Sequence, residues 1–125
     1  MRYMLDLAVL RAVNQERARY WHLKGRRSWS TLEWAGAMCG EAGEAANVAK
    51  KILRVDLSID SANNEDRGLL KQKLAKELAD TIIYADLVAA SEGIDLAKAV
   101  VETFNQVSDR ENMPHFRLAQ VTKEV

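Results

Sequence analysis

Two pairs of acidic residues stand three positions apart in the sequence. Glu41 and Glu44 are the only charged residues between positions 34 and 49, and Glu77 and Asp80 repeat the spacing further along the chain. Residues three apart share one face of a helix. If the two helices lie side by side and antiparallel, the four carboxylates converge inside the protein. They can all stay ionised there only if a cation compensates their charge.

The donor atoms of this predicted site are all carboxylate oxygens. Oxygen ligands without histidine or cysteine favour a hard cation such as magnesium. A di-iron centre in a helical bundle would instead need two Glu-x-x-His pairs. The two histidines are His22 and His115, and neither follows a glutamate by three positions. The residues therefore argue against iron at this site.

Helices must position these carboxylates, and the composition favours them. Ala, Leu, Glu, Lys and Arg prevail in the 125 residues, with six glycines and one proline. Ser30 and Glu33 match a capping box, while Gly93 and Asp95 mark the end of one helix and the start of the next. We predict a single all-α domain over residues 1–125, built as a four-helix bundle. The predicted elements are helices over about 3–24, 31–54, 65–92 and 95–113, a loop over 55–64, and an extended tail over 113–125.

Charge and cysteine content exclude several classes of protein. The 18 Lys and Arg residues balance the 18 Asp and Glu residues, whereas nucleic-acid-binding proteins usually carry a basic surplus. We therefore predict no nucleic-acid partner. The single Cys39 cannot form an internal disulfide, which fits a reducing compartment. No apolar run approaches the roughly 20 residues needed to cross a bilayer. These features predict a cytoplasmic protein with no membrane partner.

The acidic motifs and their flanks resemble a known family. Residues 40–51 (Gly-Glu-Ala-Gly-Glu-Ala-Ala-Asn-Val-Ala-Lys-Lys) and 77–84 (Glu-Leu-Ala-Asp-Thr-Ile-Ile-Tyr) are similar to the MazG-like members of the all-α nucleoside triphosphate pyrophosphohydrolase superfamily. Residues 93–96 and 104–110 resemble its phage-type, dCTPase-like branch. The resemblance extends from Arg19 to Pro114, nearly the whole chain.

The resemblance implies an activity and an assembly. It implies magnesium-dependent hydrolysis of ribo- or deoxynucleoside triphosphates to the monophosphate and pyrophosphate, for control or housecleaning of the nucleotide pool, with Mn²⁺ as a possible substitute for Mg²⁺. The nucleotide would be the substrate, and the protein would be a homodimer or homotetramer. The implied metal ligands are Glu41, Glu44, Glu77 and Asp80. Either Glu41 or Glu44 is also the candidate catalytic residue as general base, or a metal-bound water needs no separate base.

The resemblance also implies substrate contacts, four of which fit a structural role when they are considered alone. Tyr84 suits a core position, and Trp29 suits a hydrophobic staple before the helix that Ser30 caps. His22 and Lys51 suit helix ends, where positive charge is favourable. The implied substrate-binding residues are Trp21, His22, Trp29, Lys51, Tyr84 and Asn105.

One position departs from the family pattern, and other functions stay open. Many members have Glu-Glu-x-x-Glu, whereas the first of these positions is Gly40 here. The number of magnesium ions and the identity of the general base are therefore not determined. The alternatives are a pyrophosphohydrolase that acts on a nucleoside diphosphate or a phosphoribosyl nucleotide, or a non-catalytic helical module with a structural cation.

Overall fold

The computed structural model describes residues 1–23, 28–59 and 65–118, without the side chains of residues 22 and 23. All regular structure within these ranges is α-helical, which confirms the all-α prediction. The helices are α1 (Leu7–Leu23), α2 (Thr31–Leu57), α3 (Arg67–Ser91) and α4 (Leu96–Arg110).

Local capping signals set most of the helix ends. The Ser30 amide donates to Glu33 Oε2 at 2.7 Å and the Glu33 amide donates to Ser30 Oγ at 3.3 Å, so the predicted capping box is formed. Asp66 and Asp95 cap α3 and α4 through their side chains. Gly93 follows α3 with a φ of +65°, the left-handed conformation that glycine adopts without steric cost.

Three helix boundaries differ from the prediction by three or more residues, and the first is the start of α1, which lies at Leu7 instead of about residue 3. The loop predicted over residues 55–64 is wrong at its start, because α2 continues to Leu57 before Ser58 takes a left-handed conformation. Arg67 Nε donates to Asp56 Oδ1 at 2.7 Å and so ties this last turn of α2 to the start of α3. The remainder of that loop, residues 60–64, lies outside the described residues. Helix α4 ends at Arg110, since Asn112 is also left-handed.

Helices α2 and α3 form an antiparallel pair. The hydroxyl groups of Thr31 and Ser91 lie 2.9 Å apart, which places the start of α2 beside the end of α3. The pair between Arg67 and Asp56 joins the opposite ends of the same helices. Helix α1 packs on α3, and Ala18, Trp34 and Leu87 form the buried cluster where α1, α2 and α3 meet, with Tyr84 and Val88 against it.

A buried carboxylate attaches α1 to α3. Asp86 is completely buried and accepts hydrogen bonds from Arg11 Nε at 2.9 Å and from Asn14 Nδ2 at 3.1 Å. The Arg11 guanidinium also donates to the Ile94 carbonyl at 2.7 Å. Because a buried charge must be paired and hydrogen-bonded to be tolerated, this network fixes the position of α1 on α3.

Residues 113–118, the first part of the predicted extended tail, fold back along α4. The Asn105 side-chain amide donates to the Leu118 carbonyl at 3.0 Å, and its oxygen accepts from the Leu118 amide at 2.8 Å. Arg117 pairs with Asp109 at 2.6 Å. The Asn105 side chain thus pairs with the tail as a neighbouring backbone would. Residues 119–125 lie outside the described residues.

Candidate metal centre

Three carboxylates from two helices come together in the groove between α2 and α3. Glu41 of α2 and Glu77 and Asp80 of α3 each offer an oxygen, and these oxygens all lie within 4.8 Å of one another. All three residues are partly buried. We call this set the acidic cluster.

The position of Glu41 follows from the periodicity of α2. Trp34, Ala45 and Val48 form the buried face of the helix. Glu41 lies seven residues after Trp34 and four before Ala45, so it stands on the same face at a position that packing alone would give to an apolar residue. The antiparallel pairing of the helices then brings α3 opposite it.

Glu44, the fourth predicted ligand, lies at the edge of this arrangement. It is exposed and does not belong to the acidic cluster. It still interacts with Glu77 through a side-chain hydrogen bond, which acts to lower the pKa of Glu77. The structure therefore places three of the four predicted ligands together and Glu44 next to them.

The electrostatics of the acidic cluster concentrate on Glu77. Its side chain is only 13% exposed, and its Oε2 atom is buried without a hydrogen-bond donor among the described residues. The pKa of Glu77 is raised above its ordinary 4.5, first because it shares a hydrogen bond with the Glu41 carboxyl and then because burial removes water. Lys76 acts in the opposite direction through its positive charge. A carboxyl in this setting favours either a proton or a cation.

We expect this raised pKa to appear in the pH dependence of stability. A carboxyl whose pKa is higher in the folded than in the unfolded protein stabilises the fold below the unfolded value, near 4.5, and this contribution is lost as the pH rises through the folded pKa. In the absence of divalent cation, the free energy of unfolding should therefore decrease less for Glu77→Gln than for the wild type when the pH is raised from 4 to 8. Urea unfolding across this range measures the difference, and parallel curves for the two proteins would contradict it.

A lysine sits at the rim of the acidic cluster. Lys76 Nζ lies 2.9 Å from Asp80 Oδ2 and 4.0 Å from Glu77 Oε1. The hydrogen bond to Asp80 is the main cause of the raised pKa of Lys76. Lys73, one turn earlier on α3, pairs with Glu65 at 2.9 Å instead. The positive charge next to the carboxylates therefore comes from Lys76.

Aromatic rings lie along the same groove. Tyr84, one turn beyond Asp80, packs against the buried cluster with its ring centroid 6.1 Å from that of Trp34. The Trp29 ring lies 4.7 Å from Trp34 on the other side. Tyr84 thus occupies a core position and also lies one turn from a carboxylate of the acidic cluster. The sequence had left the core role and the site role as alternatives.

The two tryptophans line a cavity of about 370 Å³ between α1, α2 and α3. Gln15, Arg19 and Ser91 give this tryptophan cavity polar groups. Sequence reasoning missed Trp34, although its spacing of seven residues from Glu41 was a usable signal. Trp34 of the cavity and Glu41 of the acidic cluster lie two helical turns apart on the same face of α2, about 10 Å along the helix axis.

The other predicted substrate contacts have different partners. The Arg17 guanidinium stacks 5.2 Å from the centre of the Trp21 ring. Lys51 pairs with Glu65 at 3.3 Å, near the far end of α2. Both hydrogen-bonding groups of the Asn105 amide are taken by Leu118. The His22 side chain lies outside the described residues. Of the described side chains, those of Trp21, Lys51 and Asn105 therefore have partners away from the acidic cluster.

Comparison of the chain with protein-family models, with curated proteins and with solved structures finds no match in any of the three. Across the described ranges, each helix is too short or too polar to traverse a lipid bilayer. Function is therefore inferred from the residues of the site. Their all-oxygen donor set and the partly buried carboxylates of α2 and α3 fit a hard divalent cation such as Mg²⁺ or Mn²⁺.

Proposed function

We propose that this protein is an enzyme that hydrolyses ribo- or deoxynucleoside triphosphates to the monophosphate and pyrophosphate with Mg²⁺ as cofactor. The observation that carries the proposal is the approach of Glu41, Glu77 and Asp80 within 4.8 Å. Like charges this close and partly removed from water repel, so the arrangement favours a cation that compensates them. Mn²⁺, which accepts the same oxygen ligands, is expected to substitute.

The chain's own residues have distinct tasks in this reaction. Glu41, Glu77 and Asp80 hold the cation, which when bound supplies Lewis acidity at the α-phosphate and neutralises the leaving pyrophosphate. Water attacks the α-phosphorus, the bond from phosphorus to the pyrophosphate oxygen breaks, and a carboxylate accepts the proton of the water. Glu44 suits this last role because it is exposed and adjoins Glu77. Glu41 is the alternative base.

The tryptophan cavity suits the nucleobase. A planar base buries apolar area mainly against Trp29, which is 41% exposed, while Gln15, Arg19 and Ser91 offer polar groups at its edge. The separation of about 10 Å from the acidic cluster leaves room for the sugar and α-phosphate between them. Among the predicted substrate contacts, this placement supports Trp29, which lines the cavity, and less directly Tyr84, whose ring centroid lies 6.1 Å from that of Trp34.

The surface of the single chain supports assembly as a homodimer or homotetramer. Helix α4 buries Asn105 and Ser108 but leaves Val100, Phe104 and Val107 substantially exposed. On α2, a Cβ at Gly36, Gly40 or Gly43 would meet no described atom within 4 Å beyond the adjacent residues and the nearby backbone of its own helix. Each glycine costs the helix about 1 kcal/mol. Close approach of another subunit would offset that cost and cover the apolar stripe.

We expect Phe104→Glu to dissociate the assembly. Phe104 is 47% exposed in the single chain, so the substitution leaves the subunit's own packing largely intact. The substitution removes the apolar area that each copy of Phe104 buries at the interface, so the dissociation constant of the assembly should increase about a hundredfold. Sedimentation velocity at several concentrations measures this effect, with Thr103→Glu as a control that adds the same charge beside the stripe. A monomeric wild type, or an unchanged assembly in Phe104→Glu, would contradict the proposed interface.

A panel of ribo- and deoxynucleoside triphosphates tests the activity. Each is incubated with the protein and Mg²⁺, and pyrophosphate and orthophosphate are quantified separately. The proposal predicts pyrophosphate with an equal amount of monophosphate, both lost on chelation. Orthophosphate as the first product would contradict attack at the α-phosphate. No turnover of any triphosphate by folded protein would direct attention to nucleoside diphosphates and phosphoribosyl nucleotides, and then to a non-catalytic role.

A further inference from the structure

The lysine at the rim of the acidic cluster has a geometry that links cation binding to phosphate binding. Lys76 precedes Glu77 directly, and its ammonium contacts the carboxylates of Asp80 and Glu77 at 2.9 Å and 4.0 Å. The Lys76 side chain is 71% exposed, whereas the side chains of Asp80 and Glu77 are 30% and 13% exposed. The ammonium therefore lies on the solvent side of the cluster and partly compensates its negative charge.

A divalent cation held by the acidic cluster would compete with this ammonium. Both would use the same carboxylates of Asp80 and Glu77, and like charges a few ångströms apart repel. The ammonium must therefore leave Asp80 when the cation binds. The backbone of Lys76 remains next to Glu77, so the released ammonium stays on the solvent-exposed side of the site. A phosphate bound to the cation would be accessible from that side.

Lysine is suited to such a change of partner. Its ammonium is a compact charge on a flexible four-carbon stem, with donors that rotate to meet a new acceptor. The neighbouring lysines have other anchors, since Lys73 and Lys51 both pair with Glu65. Of these three lysines, Lys76 is the one whose ammonium contacts the acidic cluster.

We propose that Lys76 exchanges partners as the site is filled. Before the divalent cation binds, its ammonium compensates the negative charges of Asp80 and Glu77. After the cation has bound, the ammonium contacts a phosphate of the substrate. The inference rests on the proposed function of the acidic cluster. It makes Lys76 a phosphate-binding residue in the loaded site and an internal competitor of the cation in the unloaded one.

The two roles predict effects of opposite sign when the charge is removed. In Lys76→Gln the cation alone meets no competitor, so its affinity should rise about two- to fivefold, as expected for loss of an exposed ion pair. Binding of a phosphate compound to the cation-loaded protein should fall about tenfold, because a charge-assisted hydrogen bond is lost. If Lys76 only formed surface ion pairs, its removal would not change the affinities for the cation and for phosphate in opposite directions.

The experiment measures both affinities without turnover. Free Mn²⁺ is counted by electron paramagnetic resonance during titration, and imidodiphosphate, an uncleavable mimic of pyrophosphate, is then titrated at saturating Mn²⁺. The wild type is compared with Lys76→Gln and with Lys98→Gln. Lys98 is a matched control, since it pairs with Glu102 four residues later on α4 and is similarly exposed.

The proposal expects Lys76→Gln to bind Mn²⁺ more tightly and imidodiphosphate more weakly than the wild type, with Lys98→Gln unchanged. Equal or weaker Mn²⁺ binding, or unchanged imidodiphosphate binding, in Lys76→Gln would overturn the exchange while leaving the metal centre intact. A folded wild type that takes up no Mn²⁺ would overturn the proposed function itself, and the role of Lys76 with it.

Discussion

Glu41→Gln is expected to abolish turnover while the free energy of unfolding of the cation-free protein stays equal to that of the wild type or rises above it. Glu41 is the one residue of the acidic cluster contributed by α2. The amide keeps the size of the side chain but removes a charge that repels Glu77, whose pKa is raised first by its interaction with Glu41. Activity should fall at least a hundredfold, on the order of the loss of one transition-state contact.

Glu33→Gln on the same helix gives the matched control. Glu33 belongs to the capping box, where its carboxylate accepts the Ser30 amide at 2.7 Å. This substitution should lower stability by up to about 1 kcal/mol and leave turnover near wild type. The measurements are pyrophosphate release and urea unfolding on both variants. Wild-type activity in Glu41→Gln would remove Glu41 from the metal centre, and Asp80→Asn tests the α3 side in the same way.

The largest effect on stability is expected at Asp86→Ala. This carboxylate is completely buried and accepts from Arg11 and Asn14. Its removal leaves a guanidinium without its charge partner against α3 and a buried amide with one hydrogen bond fewer. Breaking such a pair costs about 3–5 kcal/mol, a large share of the stability of a small domain.

Asp56→Ala serves as the comparison for Asp86→Ala. Asp56 also pairs with an arginine, Arg67, at 2.7 Å, but both side chains are about half exposed. Exposed pairs contribute about 0–1 kcal/mol, so Asp56→Ala should be nearly neutral. Urea unfolding of the two variants checks the difference. A cost below about 1 kcal/mol for Asp86→Ala would mean that α1 is not held to α3 by this network.

Helix ends were predictable where the signal is local. Ser30 with Glu33, Asp95, and Gly93 act through hydrogen bonds or dihedral angles of a few adjacent residues, and the structure contains each of them. The partners of Asp86 were not predictable, because Arg11 lies 75 residues away. The charge of Asp86 within the apolar run of α3 was nevertheless a signal that a buried partner was needed. The contact of Asn105 with Leu118 is likewise non-local, at a separation of 13 residues.

The candidate site was predictable in outline from helical spacing. Glu41, Glu77 and Asp80 converge because buried faces of antiparallel helices must meet. Residues three apart are separated by about 300° around the helix, so Glu44 points roughly 60° away from Glu41 and ends at the exposed edge. The role of Lys76 depends on side-chain geometry that spacing alone does not determine. Lys73 and Lys76 lie four residues before Glu77 and Asp80, respectively, a spacing that favours both ion pairs equally, but Lys73 pairs with Glu65 instead.

The central claim is attack of water at the α-phosphate in a reaction that depends on Mg²⁺. The most direct test is hydrolysis of the preferred triphosphate in ¹⁸O-labelled water, with mass spectrometry of both products. The proposed function predicts one labelled oxygen in the nucleoside monophosphate and none in pyrophosphate, and no reaction after chelation. Label in pyrophosphate would place the attack on the β-phosphorus, and label in released orthophosphate would place it on the γ-phosphorus. Either result, or hydrolysis that persists without divalent cation, would contradict the proposed function.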